Sequence, residues 1–260
     1  MVVAAMPLLR SPQRSSGIAA TSSLTFEQNR ARPFSSQSLK MIVKTFDSIV
    51  RMQLLPLLAG LLILRVTIAV VLNYRDYLPP NFESDFLQDR EQYFWKGYHW
   101  AFYTHLVSGP LSLILGMFLI SDRFRSRFPK WHRYLGRIQA INILFLVAPS
   151  GLLMAYHAMT GPIAAMGFAF LAIATAICMA LGWRTAVRRR FAKHRLWMQR
   201  CFVLLCSAVV IRVIGGLLTV IDYGPEWPYQ AAAWGSWLVP LLVFELSRSR
   251  RLLSMAMPPS

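Results

Sequence analysis

The sequence predicts an all-α polytopic transmembrane helical bundle of about six spans with both termini in the cytoplasm, and three observations predict it. Of the 260 residues, 55% are hydrophobic and only 15% charged, with a mean hydropathy of +0.43, which is more apolar than an ordinary soluble domain. Six stretches are apolar over the roughly 20 residues that a helix needs to cross a bilayer. The lysines and arginines fall in short clusters between those stretches, on alternate connections. A net charge of +17 points to nucleic acid in other contexts, but charge distributed in this way belongs to membrane topology, so nucleic acid is excluded as a partner.

Residues 1–46 are Ser-rich and carry Arg10, Arg14, Arg30 and Arg32 against the single acid Glu27. They read as a disordered basic tail. The same composition fits a transit segment, and an over-extended start with Met41 or Met52 as initiator fits equally well. The spans follow at about 53–73, 98–120, 138–158, 163–183, 201–221 and 231–247 within the domain 47–260. The turn Thr160-Gly161-Pro162 stops one helix and permits the next, so spans three and four form a tight antiparallel hairpin. The N-terminal segment, the connections 121–137 and 184–200, and the C-terminal tail together hold 23 of the 28 lysines and arginines. The other connections hold Arg75, Arg90 and Lys96 among seven acids, which places them outside. The expected location is the bacterial inner membrane, or the mitochondrial inner membrane if the tail is a transit peptide.

Two basic clusters resemble each other. RSRFPKWHRYLGR, Arg125 to Arg137, and RRRFAKHRLWMQR, Arg188 to Arg200, share R-x-R-F-x-K, then His-Arg, then a closing arginine, with Trp131 as a one-residue insertion. The simplest reading is an internal duplication of a helix, basic connection, helix unit, relating spans two and three to spans four and five. His132 and His194 are then equivalent and lie at equal depth.

HLVSGP in span two, HRYLGR before span three, Gly151, HRLWMQR and Arg212 resemble an uncharacterised bacterial multi-pass membrane family catalogued as domain of unknown function 2306. The resemblance covers about residues 100–215 and implies a membrane bundle without an assigned activity. A glutamine expected shortly after the Gly-Pro pair is replaced here by Leu111, Ser112 and Leu113.

The histidines sort by depth at 1.5 Å of rise per residue. His105 lies about 24 Å above Ser121, and His157 about 28 Å above Ile138. They form an outer candidate pair, His132 and His194 an inner one, and His99 sits at the outer interface. Two histidines on different helices at one depth are what bis-imidazole ligation of haem b requires. The layout is similar to that of cytochrome b561-type proteins, although span four has no histidine. A histidine in such a basic cluster at a membrane interface is, as a rule, part of a solvated surface that contacts anionic lipid headgroups, and His132 and His194 fit that reading too. His105 shares a helix face with Ser108, Gly109 and Ser112 and so points into the bundle.

Arg65 and Arg212 fall near mid-membrane, where arginine is costly, and no acid sits at their depth. Each is a polar staple or a contact to a propionate, a quinone, or an anionic lipid or substrate. Arg133, Arg137, Arg195 and Arg200 are the further anion-contact candidates. The cysteines Cys178, Cys201 and Cys206 lie in apolar runs and read as packing residues. Hydrolase, P-loop, zincin and dinucleotide motifs are absent from the sequence. The outer connection between Arg75 and Lys96 reads as a short helix over the bundle mouth or a solvated lid. Two function classes follow: a haem b-binding, electron-transferring membrane protein with a quinone or other redox partner, or a non-enzymatic transport, lipid- or anion-binding protein without cofactor.

Overall fold

The computed structural model describes residues 57–84, 86–158, 161–220 and 227–256. The expected tail, 1–46, lies outside the described residues, as do Met41 and Met52. Eight helices carry the described chain. They are α1 (Leu57–Asp76), α2 (Glu91–Ile120), α3 (Asp122–Arg127), α4 (Pro129–Tyr156), α5 (Pro162–Val187), α6 (Phe191–Leu205), α7 (Ser207–Val220) and α8 (Trp227–Ala256). Among them α1, α2, α4, α5 and the run from α6 into α7 are long and apolar enough to cross a membrane. The expected sixth span falls within α8, a 30-residue helix in which Gln230, Ser236, Glu245 and Arg248 dilute the apolar run.

The helix ends follow local chemistry. The Ser121 hydroxyl accepts from the Phe124 amide and starts α3, and prolines open α4 and α5, where a missing N–H costs nothing. Gly161, at φ 81°, makes the hairpin turn between α4 and α5. At the far end of α5 the Arg189 and Arg190 amides return to the Ala186 and Thr185 carbonyls, with Arg189 at φ 54°.

The basic segments expected as connections are largely helical, which corrects the boundaries read from hydropathy. Spans three and five begin at Pro129 and Phe191 rather than at 138 and 201. Hydropathy marks where the apolar run ends, whereas the helix continues because long basic side chains reach water from its exposed turns. Span two likewise starts early, at Glu91, and bends at Gly97, whose φ of 113° no L-residue adopts readily.

Internal prolines create two local departures that the packing absorbs. Pro110 inside α2 leaves the Leu106 carbonyl without its helical donor, and the Tyr74 hydroxyl of α1 donates to that oxygen. Pro149 follows a wide turn at Asn142–Val147, which relieves the ring's clash with the preceding turn. From this wide turn the Asn142 Nδ2 donates to the Ser108 carbonyl at 3.1 Å, and one turn earlier the Gln139 Nε2 donates to the Ser112 carbonyl at 2.9 Å. These two amides staple α4 to α2.

The main core joins Leu113, Ala140, Ile143, Met179, Cys201 and Leu204 across α2, α4, α5 and α6. Cys178 and Cys201 are buried there and free, as packing residues. Large apolar side chains such as Leu61, Ile68, Phe145, Phe170, Ile177 and Val243 are exposed around the outside, as a lipid-facing surface requires.

The outer segment is not a solvated lid. It folds into an aromatic cap in which Leu87, Phe94, Tyr98 and Phe102 are buried, with Tyr77, Phe82, Phe86 and Tyr93 packed on them. Its centre is Arg90, 4% exposed. Its Nε donates to the Phe86 carbonyl at 2.7 Å, and its Nη1 donates to the Tyr98 hydroxyl and the His157 carbonyl, each at 2.9 Å. The guanidinium also lies over the Phe86 ring at 4.7 Å. Replacing Arg90 by Met leaves buried carbonyls without donors, at a cost of about 1–3 kcal/mol. Thermal unfolding of the detergent-purified Arg90→Met variant is expected to show a lowered midpoint, and an unchanged midpoint contradicts the assignment.

Candidate functional site

Two cavities lie within the bundle. The basic-end cavity, about 760 Å³, opens between the ends of α2, α4, α5 and α6. His132 and His194 both line it, with Arg125, Arg133, Arg137 and Arg195. Each histidine is the fourth residue of its helix, and their amides donate to the equivalent carbonyls of Phe128 and Arg190, both at 2.9 Å. The structure thus places the two expected equivalents in equivalent turns on the wall of one cavity.

The two imidazoles are held differently. His194 Nδ1 lies 2.9 Å from the Gly182 carbonyl, and since a carbonyl only accepts, the proton is on Nδ1 and the Nε2 lone pair is bare. His132 Nδ1 is buried and has no hydrogen-bond partner. The walls between them are apolar, including Leu119, Met179, Met198 and Phe202.

The arginines of this end divide into paired and unpaired. Arg195 and Arg125 both pair with Asp122, the latter at 2.9 Å. Arg200, expected as an anion contact, is instead engaged within the chain: its Nε and Nη2 donate to the Glu245 carboxylate at 2.6 and 3.0 Å, and it stacks over Trp197. Arg133 and Arg137 have no carboxylate within ion-pair distance among the described residues. Trp131, the insertion, is exposed beside Tyr134.

The aromatic-end cavity, about 650 Å³, holds His105 and Arg212. Tyr77, Phe86 and Arg90 bring the cap to its wall, and Ser112, Thr175, Ser207 and Ser236 add hydroxyls. The Ser150 hydroxyl donates to the Leu146 carbonyl at 2.5 Å, so its oxygen accepts from His105 Nδ1–H at 3.0 Å. His105 therefore also offers a bare Nε2. Gly109 and Gly151 lie against this ring, where a Cβ on either would make ordinary van der Waals contact with it, at 3.9 or 3.4 Å.

The expected outer pair is not brought together. His157 caps the end of α4, stacked on Tyr93 at 4.5 Å, and does not line the cavity that holds His105. His99 Nδ1 is 3.0 Å from the Phe94 carbonyl beside Trp95 and Trp100, at the interface as expected. Arg65 is exposed on α1 and lines neither cavity. Reasoning from the sequence missed Arg90, Asp122, Gln139, Asn142 and Ser150. Only Gln139 and Asn142 carried a usable signal, as amides within an apolar run.

Fold and site define the class: an all-α integral membrane protein of several spans, with buried polar sites at both ends of one bundle. The chain belongs to the family described as Predicted membrane protein (DUF2306), matched over residues 102–247. No curated protein and no solved structure matches it.

Two glycines of the basic end, Gly116 on the cavity wall and Gly182 within α5, make a testable contrast. A Cβ on Gly116 would lie 2.8 Å from the Phe202 ring, whereas one on Gly182 would meet the flexible Met198 methyl. Gly116→Ala is expected to destabilise by about 1–3 kcal/mol through overpacking. Gly182→Ala is expected to be neutral or stabilising, because Met198 swings aside and alanine favours the helix. Melting curves of both variants decide this, and the reverse order contradicts it.

Proposed function

We propose that this protein holds haem b in its basic-end cavity, between His132 and His194, and transfers electrons at that face of the membrane. One observation carries the reading: two imidazoles from different spans, in equivalent helical turns, line a single apolar cavity whose rim bears arginines. Haem, when bound, supplies one-electron redox chemistry.

The chain's own residues fit that group. The Gly182 carbonyl fixes the His194 ring and leaves Nε2 as the ligand atom, the arrangement found behind metal-binding histidines. The orphaned Nδ1 of His132 fits the same role, because a buried ring nitrogen without a partner is costly unless something binds it. Arg133 and Arg137, without carboxylates of their own, match the two propionates of a haem. Among the described residues no three His, Cys, Asp or Glu side chains converge, so the donor set suits an iron already held by a macrocycle better than a bare ion. With His157 away from His105, the reading takes one haem rather than a stacked pair.

A second reading keeps the unpaired Arg133 and Arg137 as contacts for anionic lipid headgroups, with no cofactor.

A dithionite-reduced minus oxidised spectrum of protein purified from cells supplied with haem precursor separates the two. A sharp α band is expected, lost in His132→Ala and in His194→Ala and kept in His105→Ala. A flat spectrum from folded wild-type protein, or a band that survives both inner substitutions, overturns the haem reading.

A further inference from the structure

The aromatic-end cavity contains two arginines, Arg90 and Arg212, and among the described residues no carboxylate lines it. Arg90 is engaged by the Phe86 and His157 carbonyls and the Tyr98 hydroxyl. Arg212 is not. Its Nη1 donates to the Ala208 carbonyl of its own helix at 2.8 Å, and no acid lies within ion-pair distance among the described residues. It lies about 18 Å beyond Arg200 along the same span, at a depth where an uncompensated charge is expensive and marks a functional site. A guanidinium has five N–H donors, and Arg212 lines the cavity, so donors beyond the one on the Ala208 carbonyl remain for a ligand there.

A second observation points the same way. Ser236, on α8, is 1% exposed and lines this cavity, and its hydroxyl has no partner. A buried orphan hydroxyl and a cation without a carboxylate partner, lining one largely apolar chamber, make it a candidate for a polar ligand.

We propose that this cavity binds a single-chain carboxylate amphiphile, with its carboxylate on Arg212 and its chain among the apolar residues of α2, α5 and α7. The one unpaired guanidinium matches a monoanion, and its planar fork matches a carboxylate. Arg90 is already engaged by two carbonyls and a hydroxyl, which leaves Arg212 as the anion seat among the described residues that line this cavity. The volume suits one chain and not a two-chain phospholipid. The proposal does not depend on haem at the other end.

The test is equilibrium binding of tritiated palmitate to the full-length wild-type protein in a carboxylate-free detergent. Saturable binding of one palmitate per chain is expected. Arg212→Gln is expected to weaken it at least tenfold, and Arg212→Lys by less. Gly215→Leu narrows the cavity from a wall position where a Cβ meets nothing within 4 Å, and that variant tests occupancy. Hexadecanol, which has the chain without the charge, is expected not to compete. Competition by butyrate as effective as that by palmitate shows that the chain contributes nothing and overturns the proposal, whereas competition by palmitate alone supports it. Absence of binding of both acids to the wild type, binding unchanged in Arg212→Gln and Gly215→Leu, or displacement by hexadecanol as effective as by palmitate overturns the proposal. In either case the absorption spectrum of Arg212→Gln is expected to match the wild type, so failure here is distinct from failure of the haem reading.

Discussion

The contact on which the rest of the molecule depends is the pair of amide staples between α2 and α4. Gln139 and Asn142 each donate from α4 to a carbonyl of α2, at Ser112 and Ser108. In a bilayer no water competes for those carbonyls, and apolar packing alone fixes helix rotation weakly, so a directional bond sets the register. With this register set, His105 meets Ser150 across the same interface and His132 falls at the mouth of the opposite cavity. The acceptor oxygen of each amide, Gln139 Oε1 and Asn142 Oδ1, is buried without a partner.

The prolines belong to the same logic. Pro110 would be a defect in an isolated helix, yet the carbonyl it frees is where Tyr74 ties α1 to the bundle. Pro149 comes with the wide turn that starts at Asn142, so the residue that staples α4 to α2 and the distortion that accommodates the proline share one segment. Each break in helical bonding is answered by a side chain from a neighbour, as expected where the backbone has no solvent to fall back on.

Much of the architecture was legible because it depends on one-dimensional properties. Apolar length gave the spans, and the alternation of basic and acidic connections gave two chemically distinct ends. Repetition of the His-Arg cluster placed His132 and His194 together, and the structure puts them in the same turn of equivalent helices. What was not legible depends on rotation about helix axes. Arg200 looked like its neighbours Arg195 and Arg137, yet it faces Glu245 of α8 and is engaged there. Arg90 looked like a solvated charge among acids, but a cap rich in aromatic rings closes over it. His105 and His157 shared a depth, and depth alone does not make a pair when one ring turns outward onto Tyr93.

The two ends therefore carry different chemistry on one frame: two imidazoles with rim arginines at the basic end, and one imidazole with a deep unpaired arginine at the aromatic end. The central claim is that the basic-end pair holds a macrocycle. The most direct measurement is an experimental density map of the protein purified from haem-supplemented cells. The account predicts a planar density between the His132 and His194 rings, with Arg133 and Arg137 at its edge. Imidazoles packed with no density between them, or a porphyrin seated elsewhere in the bundle, would contradict it.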